Sequence, residues 1–265
     1  MRTNIADKQP VALFFFAHQD DEYGVYKTIS DELSQGHRVI SVYYTDGGFS
    51  GVSSQRRNQE SLNVLSRLGI SGNDVLFVGE SLSIPDGKLI HNMALAGRWL
   101  DDWLPTFSSI TSIYVPAWEG GHHDHDALHA LVILAAQRHD LLPKVRQFSL
   151  YNAYNRFHPF FRVKSPLREN GPVVSSKIGW NDRFKYLRFC ASYPSQAITW
   201  IGLFPFVLWH YLFNGSQALQ PVDVARLDER PHSGSLYYER RRFCTWEIMQ
   251  SNIGEYRRTR YQTRV

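Results

Sequence analysis

Cysteine is nearly absent. Cys190 and Cys244 are the only two in 265 residues, which excludes a disulfide framework and points to a reducing compartment. An apolar core is missing from the N-terminus, where Met1-Arg2-Thr3-Asn4-Ile5-Ala6-Asp7-Lys8 does not read as a signal peptide. Internal repeats and low-complexity stretches are absent too, and the expectation is a cytoplasmic protein. Net charge is small, +4, and unevenly placed. From Tyr237 onward seven arginines (240, 241, 242, 257, 258, 260 and 264) face Glu239, Glu247 and Glu255, so 7 − 3 = +4 sits in this tail and the remainder is balanced. A basic end can meet phosphate or an anionic membrane surface, though more often it is simply solvated. With no RNA-binding signature or cysteine finger beside it, nucleic acid is not an expected partner.

What is present is a folding composition, 43% hydrophobic and 20% charged, long enough for a full core. Over the first 150 residues strand and helix patterns alternate. Strands are expected at 11–17, 38–44, 74–78, 110–116 and 145–150, and helices at 22–35, 55–68, 91–102 and 125–138, with Gly36 and Gly69 as helix stops. Such alternation predicts an α/β fold: a doubly wound, mostly parallel, Rossmann-like sheet with a C-terminal extension. The expected division is a domain over 1–196 and an extension over 197–265 packed on it.

The loop after the first strand has no glycine until Gly24 and holds three carboxylates. They would repel a pyrophosphate from the helix N-terminus, which disfavours a nicotinamide or flavin enzyme of the usual type. The stretch is Ala17-His18-Gln19-Asp20-Asp21-Glu22. Imidazole and carboxylates suit a first-row divalent metal, with a spare carboxylate as general base. Acids at a helix N-terminus also serve as caps, and this stretch alone is compatible with both. A second constellation, Gly120-Gly121-His122-His123-Asp124-His125-Asp126, with His129 a helical turn beyond, follows the fourth strand. In strand order 3-2-1-4-5 the first and fourth strands are neighbours, so both clusters should meet at the switch point where ligands bind. Isolated histidines such as His37, His91, His139 and His232 are read as surface or packing residues.

These motifs resemble the LmbE-like, PIG-L-type family of zinc-dependent de-N-acetylases, which shows Ala-His-Pro-Asp-Asp-Glu after its first strand and His-Pro-Asp-His after a later one. Here they stand as AHQDDE (17–22) and HHDH (122–125), joined by Thr45-Asp46-Gly47-Gly48 and by Arg57, Glu60 and Leu68-Gly69. The resemblance implies that His18, Asp21 and His125 hold Zn2+, with Fe2+ or Co2+ as other divalent candidates. It implies Asp20 as general base to the metal's water, His122 as oxyanion stabiliser or acid, and Asp124 as the residue orienting His122. Arg57 and Asp46 would contact substrate. Both motif prolines are replaced, by Gln19 and His123, which alters loop stiffness rather than the ligand set. The implied activity is removal of an acetyl group from an N-acetylated amino sugar, as a small molecule or a lipid-linked glycan.

Two rival readings belong beside it. His125 and His129 have the i, i+4 spacing of a zincin helix, with Asp126 where a catalytic glutamate would stand, which would make a metallopeptidase but leave the first motif unexplained. A non-catalytic metal- or glycan-binding relative is the other. In the second half, residues 151–196 read as substrate-side loops and strands. Ala197 to Phe213 (AITWIGLFPFVLWHYLF) runs without a charge. It is short of a transmembrane span and interrupted by Pro205. It reads either as a buried helical hairpin or oligomer contact, or, with Trp200, Trp209 and the basic tail, as a peripheral membrane contact.

Overall fold

The computed structural model describes residues 9–48 and 51–262. The N-terminal octapeptide, Arg264 and the side chain of Arg260 lie outside that description. Strand β1 (Val11–Phe16) is apolar without alternation because both its faces are covered. Leu13 and Phe15 enter one core, while Ala12, Phe14 and Phe16 enter the other. The chain continues through α1 (Tyr26–Ser34), β2 (Arg38–Tyr43), α2 (Ser54–Leu68), β3 (Val75–Phe77), a short α3 (Val78–Ser81), α4 (Met93–Trp103), β4 (Ile110–Pro116), α5 (His123–Arg138) and β5 (Val145–Phe148). Gly69 closes α2 with φ 107°, the left-handed cap its position predicts.

The second half adds β6 (Tyr151–Asn152), β7 (Arg162–Val163), β8 (Val174–Lys177), α6 (Trp180–Cys190), α7 (Ala197–Trp209) with a π-helical turn to Asn214, β9 (Ser216–Pro221), α8 (Tyr237–Arg240) and α9 (Trp246–Gln262). The main sheet runs β3-β2-β1-β4-β5-β9-β8. Its first five strands are parallel, and β9 and β8 join antiparallel. The predicted order of the five parallel strands is therefore the observed one, and β1 and β4 lie side by side. A strand from beyond residue 196 completes the same sheet. Helices α4, α5 and α9 contribute to the core on one face, and α1, α2, α6 and α7 to the core on the other.

Two expectations need correction. The helix expected over 22–35 is split: a 3-10 turn spans Asp21–Gly24, and the α-helix begins only at Tyr26. Glu22 causes this locally, since its buried carboxylate accepts the Asp20 N–H at 2.9 Å and the Tyr43 hydroxyl at 3.0 Å, tying the turn to β2. Residues 151–196 contain helix α6 as well as loops and strands, held in place by Tyr186, Phe189 and Cys190 packing in the core.

Candidate active site

The carboxyl ends of β1 and β4 deliver the two motif loops to one place. His18 Nδ1 lies 3.3 Å from His125 Nε2, His125 Nε2 lies 3.0 Å from Asp21 Oδ1, and His18 Nδ1 lies 3.7 Å from Asp21 Oδ2. Backbone geometry fixes this trio. Asp21 Oδ2 accepts the N–H groups of Ala17 and His18 at 3.0 and 2.8 Å, which leaves Oδ1 facing His125. A tetrahedral metal with bonds of ~2.0–2.1 Å has ligand atoms ~3.3 Å apart. Two nitrogens 3.3 Å apart, with the Asp21 carboxylate 3.0 Å from one through Oδ1 and 3.7 Å from the other through Oδ2, thus fit a divalent ion in donor chemistry and approach its spacing.

His18 is braced from behind. Its Nε2 lies 3.1 Å from Asp124 Oδ2 and 3.3 Å from Asp86 Oδ1. Asp124 also accepts the N–H groups of Gly87 and Leu89 at 2.6 and 3.0 Å. The Asp124 carboxylate therefore orients His18, whereas the sequence reading aimed it at His122, whose Nδ1 is 4.0 Å away. His122 meets Asp124 through the backbone instead: the Asp124 N–H donates to His122 Nδ1 at 3.2 Å, capping α5. Burial would lower the His18 pKa, but Asp86, Asp124 and Asp21 together hold it well above the ordinary value. Burial and the neighbouring histidines His18, His123 and His125 push His122 well below it, against the pull of Asp124.

Asp20 stands apart from the trio. It has φ 110°, a conformation that costs a non-glycine residue ~1–3 kcal/mol and tends to mark functional sites. Its Oδ2 accepts the Trp200 indole N–H at 3.1 Å, and Oδ1 lies 3.6 Å from Arg57 Nη2. Burial, only partly offset by Arg57, pushes its carboxyl up to about 8. Arg57 is buried and spans the site, donating to Gly47 O and Gln19 O, both at 2.7 Å, and to Asp86 Oδ2 at 3.0 Å. Gln19, in place of the family's proline, donates to Asn58 Oδ1 at 2.6 Å. Its amide fills the space where a side chain on Gly47 (φ 69°) would stand, so that turn requires glycine.

These groups open on a cavity of about 230 Å³ lined by His18, Asp20, Asp21, Arg57, Asp86, His122 and His125. The opposite wall comes from the second half, with Tyr151, Thr199, Leu203, Tyr237, Arg241 and Phe243. Asp46 is not among the lining residues. Its Oδ1 accepts the N–H groups of Gly48 and Asp86, at 2.9 and 3.2 Å, and so shapes the loop that presents Asp86. His129 and Asp126 turn elsewhere. His129 Nδ1 donates to Pro116 O at 2.8 Å, and Asp126 accepts the N–H groups of Glu119 and Gly120. Among the described residues the donor clusters able to hold a metal omit both, which removes the geometric basis of a zincin helix.

Sequence reasoning missed Asp86 and, although it read residues 151–196 as substrate-side, named no individual residue of the second-half wall. Pro85-Asp86-Gly87 is an ordinary turn signature, and only its placement beside His18 makes it part of the site. Ser195 docks on Glu60 through its N–H at 3.0 Å, and Gln196 lines the cavity.

Residues 13–136 match the family model described as PIG-L, GlcNAc-PI de-N-acetylase. Over these residues, just under half of the chain, the sequence is similar to that family. Solved structures of similar fold include the zinc-inhibited form of teicoplanin deacetylase Orf2, with 15% identity, TM-score 0.62, and coverage of 80% of this chain and 98% of that one. The A40926 pseudoaglycone deacetylase Dbv21 aligns at 16% identity and TM-score 0.55, over 84% of this chain and 98% of the other. The N,N'-diacetylchitobiose deacetylase from Pyrococcus horikoshii aligns at 15% and 0.55, covering 85% and 88%. At these identities the neighbours establish a shared fold over most of the chain. No curated protein sequence matches significantly.

Proposed function

We propose that this protein is a metal-dependent hydrolase of the PIG-L type that removes the acetyl group of an N-acetylated amino sugar or glycoconjugate. The observation that supports it most is the buried cluster of His18, Asp21 and His125, whose ligand atoms lie close enough to share an ion, with Asp20 beside it and outside the cluster. His18, Asp21 and His125 would hold the ion, zinc being the first choice for two imidazoles and one carboxylate. When bound, such an ion supplies Lewis acidity to an amide carbonyl and acidifies a water.

The chain's own groups divide the remaining work. Asp20 is the proton acceptor: its carboxyl faces the cavity, accepts the Trp200 indole N–H and lies beside Arg57, and the charge of an ion held next to it would favour its ionised form. His122 has its Nδ1 lone pair engaged by the Asp124 N–H, so a neutral ring carries its proton on Nε2 and acts as a donor to a developing oxyanion. One such donor is worth ~3 kcal/mol in comparable sites. Arg57 is too engaged with Gly47, Gln19 and Asp86 to move, and acts as a fixed positive wall beside Asp20. Tyr151, Tyr237 and Arg241 on the facing wall would limit how the sugar is seated. The site's volume falls below the ~300–1,000 Å³ of drug-sized pockets, which suits one sugar ring with the rest of the substrate outside.

The test is acetate release from a panel of N-acetylhexosamines, free, nucleotide-linked, glycosidic and lipid-linked. It is run on chelator-treated protein and again after zinc is restored. Release that depends on metal supports the reading. Intact zinc binding with no release from any member would favour a non-catalytic glycan-binding relative.

A further inference from the structure

Eleven of the large apolar side chains that the described structure leaves exposed fall between residues 157 and 213. Eight of them lie on α7 and its π-helical turn or in the groove beside it. Ile198, Ile201, Trp209 and Phe213 are 89%, 77%, 66% and 68% exposed. With Pro205 they form a solvent-facing stripe at helical spacing, uncharged from Ala197 to Asn214. Trp209 and Phe213 pack ring on ring at 4.2 Å. Beside them lies a groove of about 1050 Å³ between α7 and the 156–166 loop, with Phe157, Phe160, Val173, Trp209, Arg156 and Arg162 in its walls. Soluble surfaces rarely leave a patch of this kind without an occupant.

Charge identifies the occupant. Residues 151–213 hold eight basic side chains (Arg156, Arg162, Lys164, Arg168, Lys177, Arg183, Lys185, Arg188) against Glu169 and Asp182, so 8 − 2 = +6, of which Lys164 is buried on Tyr23 O and Gly24 O and the others are left for the surface. The rest of the chain, at +4 − 6 = −2, has the opposite sign. Neither Arg156 nor Arg162 has an ion-pair partner among the described residues. Arg162 lies over the Tyr154 ring, and its buried Nε has no acceptor. We propose that α7 and the adjoining groove form a docking surface for an anionic lipid bilayer, with the helix lying in the interface. Apolar insertion combined with several cationic side chains is what reversible surface binding requires, and tryptophan is favoured at that depth.

The helix lies on the membrane rather than across it. Pro194–Asn214 is long and apolar enough for a span by length and composition, but only 28% of its best window is buried in the protein. That minority decides the matter. Trp200, Leu203, Val207 and Tyr211 pack into the core, and Trp200 reaches Asp20. Removing these residues into lipid would dismantle the catalytic cavity. The inner face of the same helix lines that cavity with Thr199 and Leu203, so the bilayer and the proposed reaction site share one element. The surface itself does not depend on the deacetylase reading, and its test needs no turnover.

The experiment is co-sedimentation of the full chain with vesicles of phosphatidylcholine containing phosphatidylglycerol, and with pure phosphatidylcholine, at low and high salt. Binding should favour the anionic vesicles by about tenfold and weaken with salt, as a few cationic contacts predict. An Ile201→Glu/Trp209→Glu variant with an unchanged circular dichroism spectrum should lose at least about tenfold of that binding. Arg156→Glu/Arg162→Glu, which leaves the apolar stripe intact, should lose the preference for anionic vesicles. Absence of binding at low salt, or equal binding by the variants, would overturn the proposal. So would a dimer in sedimentation velocity that the glutamate pair dissociates, because the face would then belong to a second copy of the chain.

Discussion

Replacing Asp124 by asparagine removes one charge while keeping the side-chain shape. Its two oxygens face three groups: His18 Nε2 at 3.1 Å, the Gly87 N–H at 2.6 Å and the Leu89 N–H at 3.0 Å. Either orientation of the new amide turns N–H groups toward a donor, a mismatch that costs ~1–3 kcal/mol in a buried site. The functional effect runs through His18, which loses the acceptor that fixes its tautomer and ring angle. Such outer partners of a metal-ligating histidine are worth ~10–100-fold in metal affinity. Because Asp86 Oδ1 remains 3.3 Å from the same nitrogen, the single variant should fall at the low end, about tenfold, and Asp86→Asn/Asp124→Asn about a hundredfold. Zinc affinity is read by competition with a chromogenic chelator, with circular dichroism confirming a native fold. Unchanged affinity in the natively folded double variant would refute the bracing role.

Three further outcomes follow from the same geometry. Asp20→Asn should retain bound metal yet lose turnover by about two orders of magnitude, the scale of a missing general base, as measured by acetate release beside metal content. Trp200→Phe keeps an aromatic ring between Tyr23 and Tyr193 but deletes the indole N–H on Asp20. It should cost about tenfold or more in kcat, the range of a hydrogen bond to a charged group, with metal content unchanged. Burial, only partly opposed by the hydrogen bond to Pro116 O, lowers the His129 pKa from 6.5 to about 4. Between pH 6.5 and 4 the unfolded state therefore holds the extra proton, and stability should fall by roughly 3 kcal/mol as pH drops through that window. His129→Asn should flatten this dependence in urea titrations while leaving metal affinity intact.

The parallel sheet was legible because its strands are buried on both faces and read as unbroken apolar runs, and because helix stops such as Gly69 have a specific backbone role. The motif loops were legible from residue type alone, and strand order then brought them together. The residues that were missed belong to segments whose local pattern says little. Asp86 sits in a generic turn, and α6 (WNDRFKYLRFC) mixes aromatics and charges too evenly to show a face. β9 (SQALQP) is half polar because it continues the sheet beyond the strands covered on both sides. The apolar run at 197–213 was ambiguous for a physical reason. Its inward residues serve the core and the cavity wall, while its outward residues face solvent, so composition could not assign it to either side.

The central claim concerns three atoms, and anomalous diffraction at the zinc edge from crystals of the zinc-loaded protein tests it most directly. The account predicts one strong peak per chain, within ~2.0–2.2 Å of His18 Nδ1, an Asp21 oxygen and His125 Nε2, with the Asp20 carboxylate uncoordinated. A peak placed instead among His122, His123 and Asp124, or one that takes Asp20 as a ligand, would contradict it.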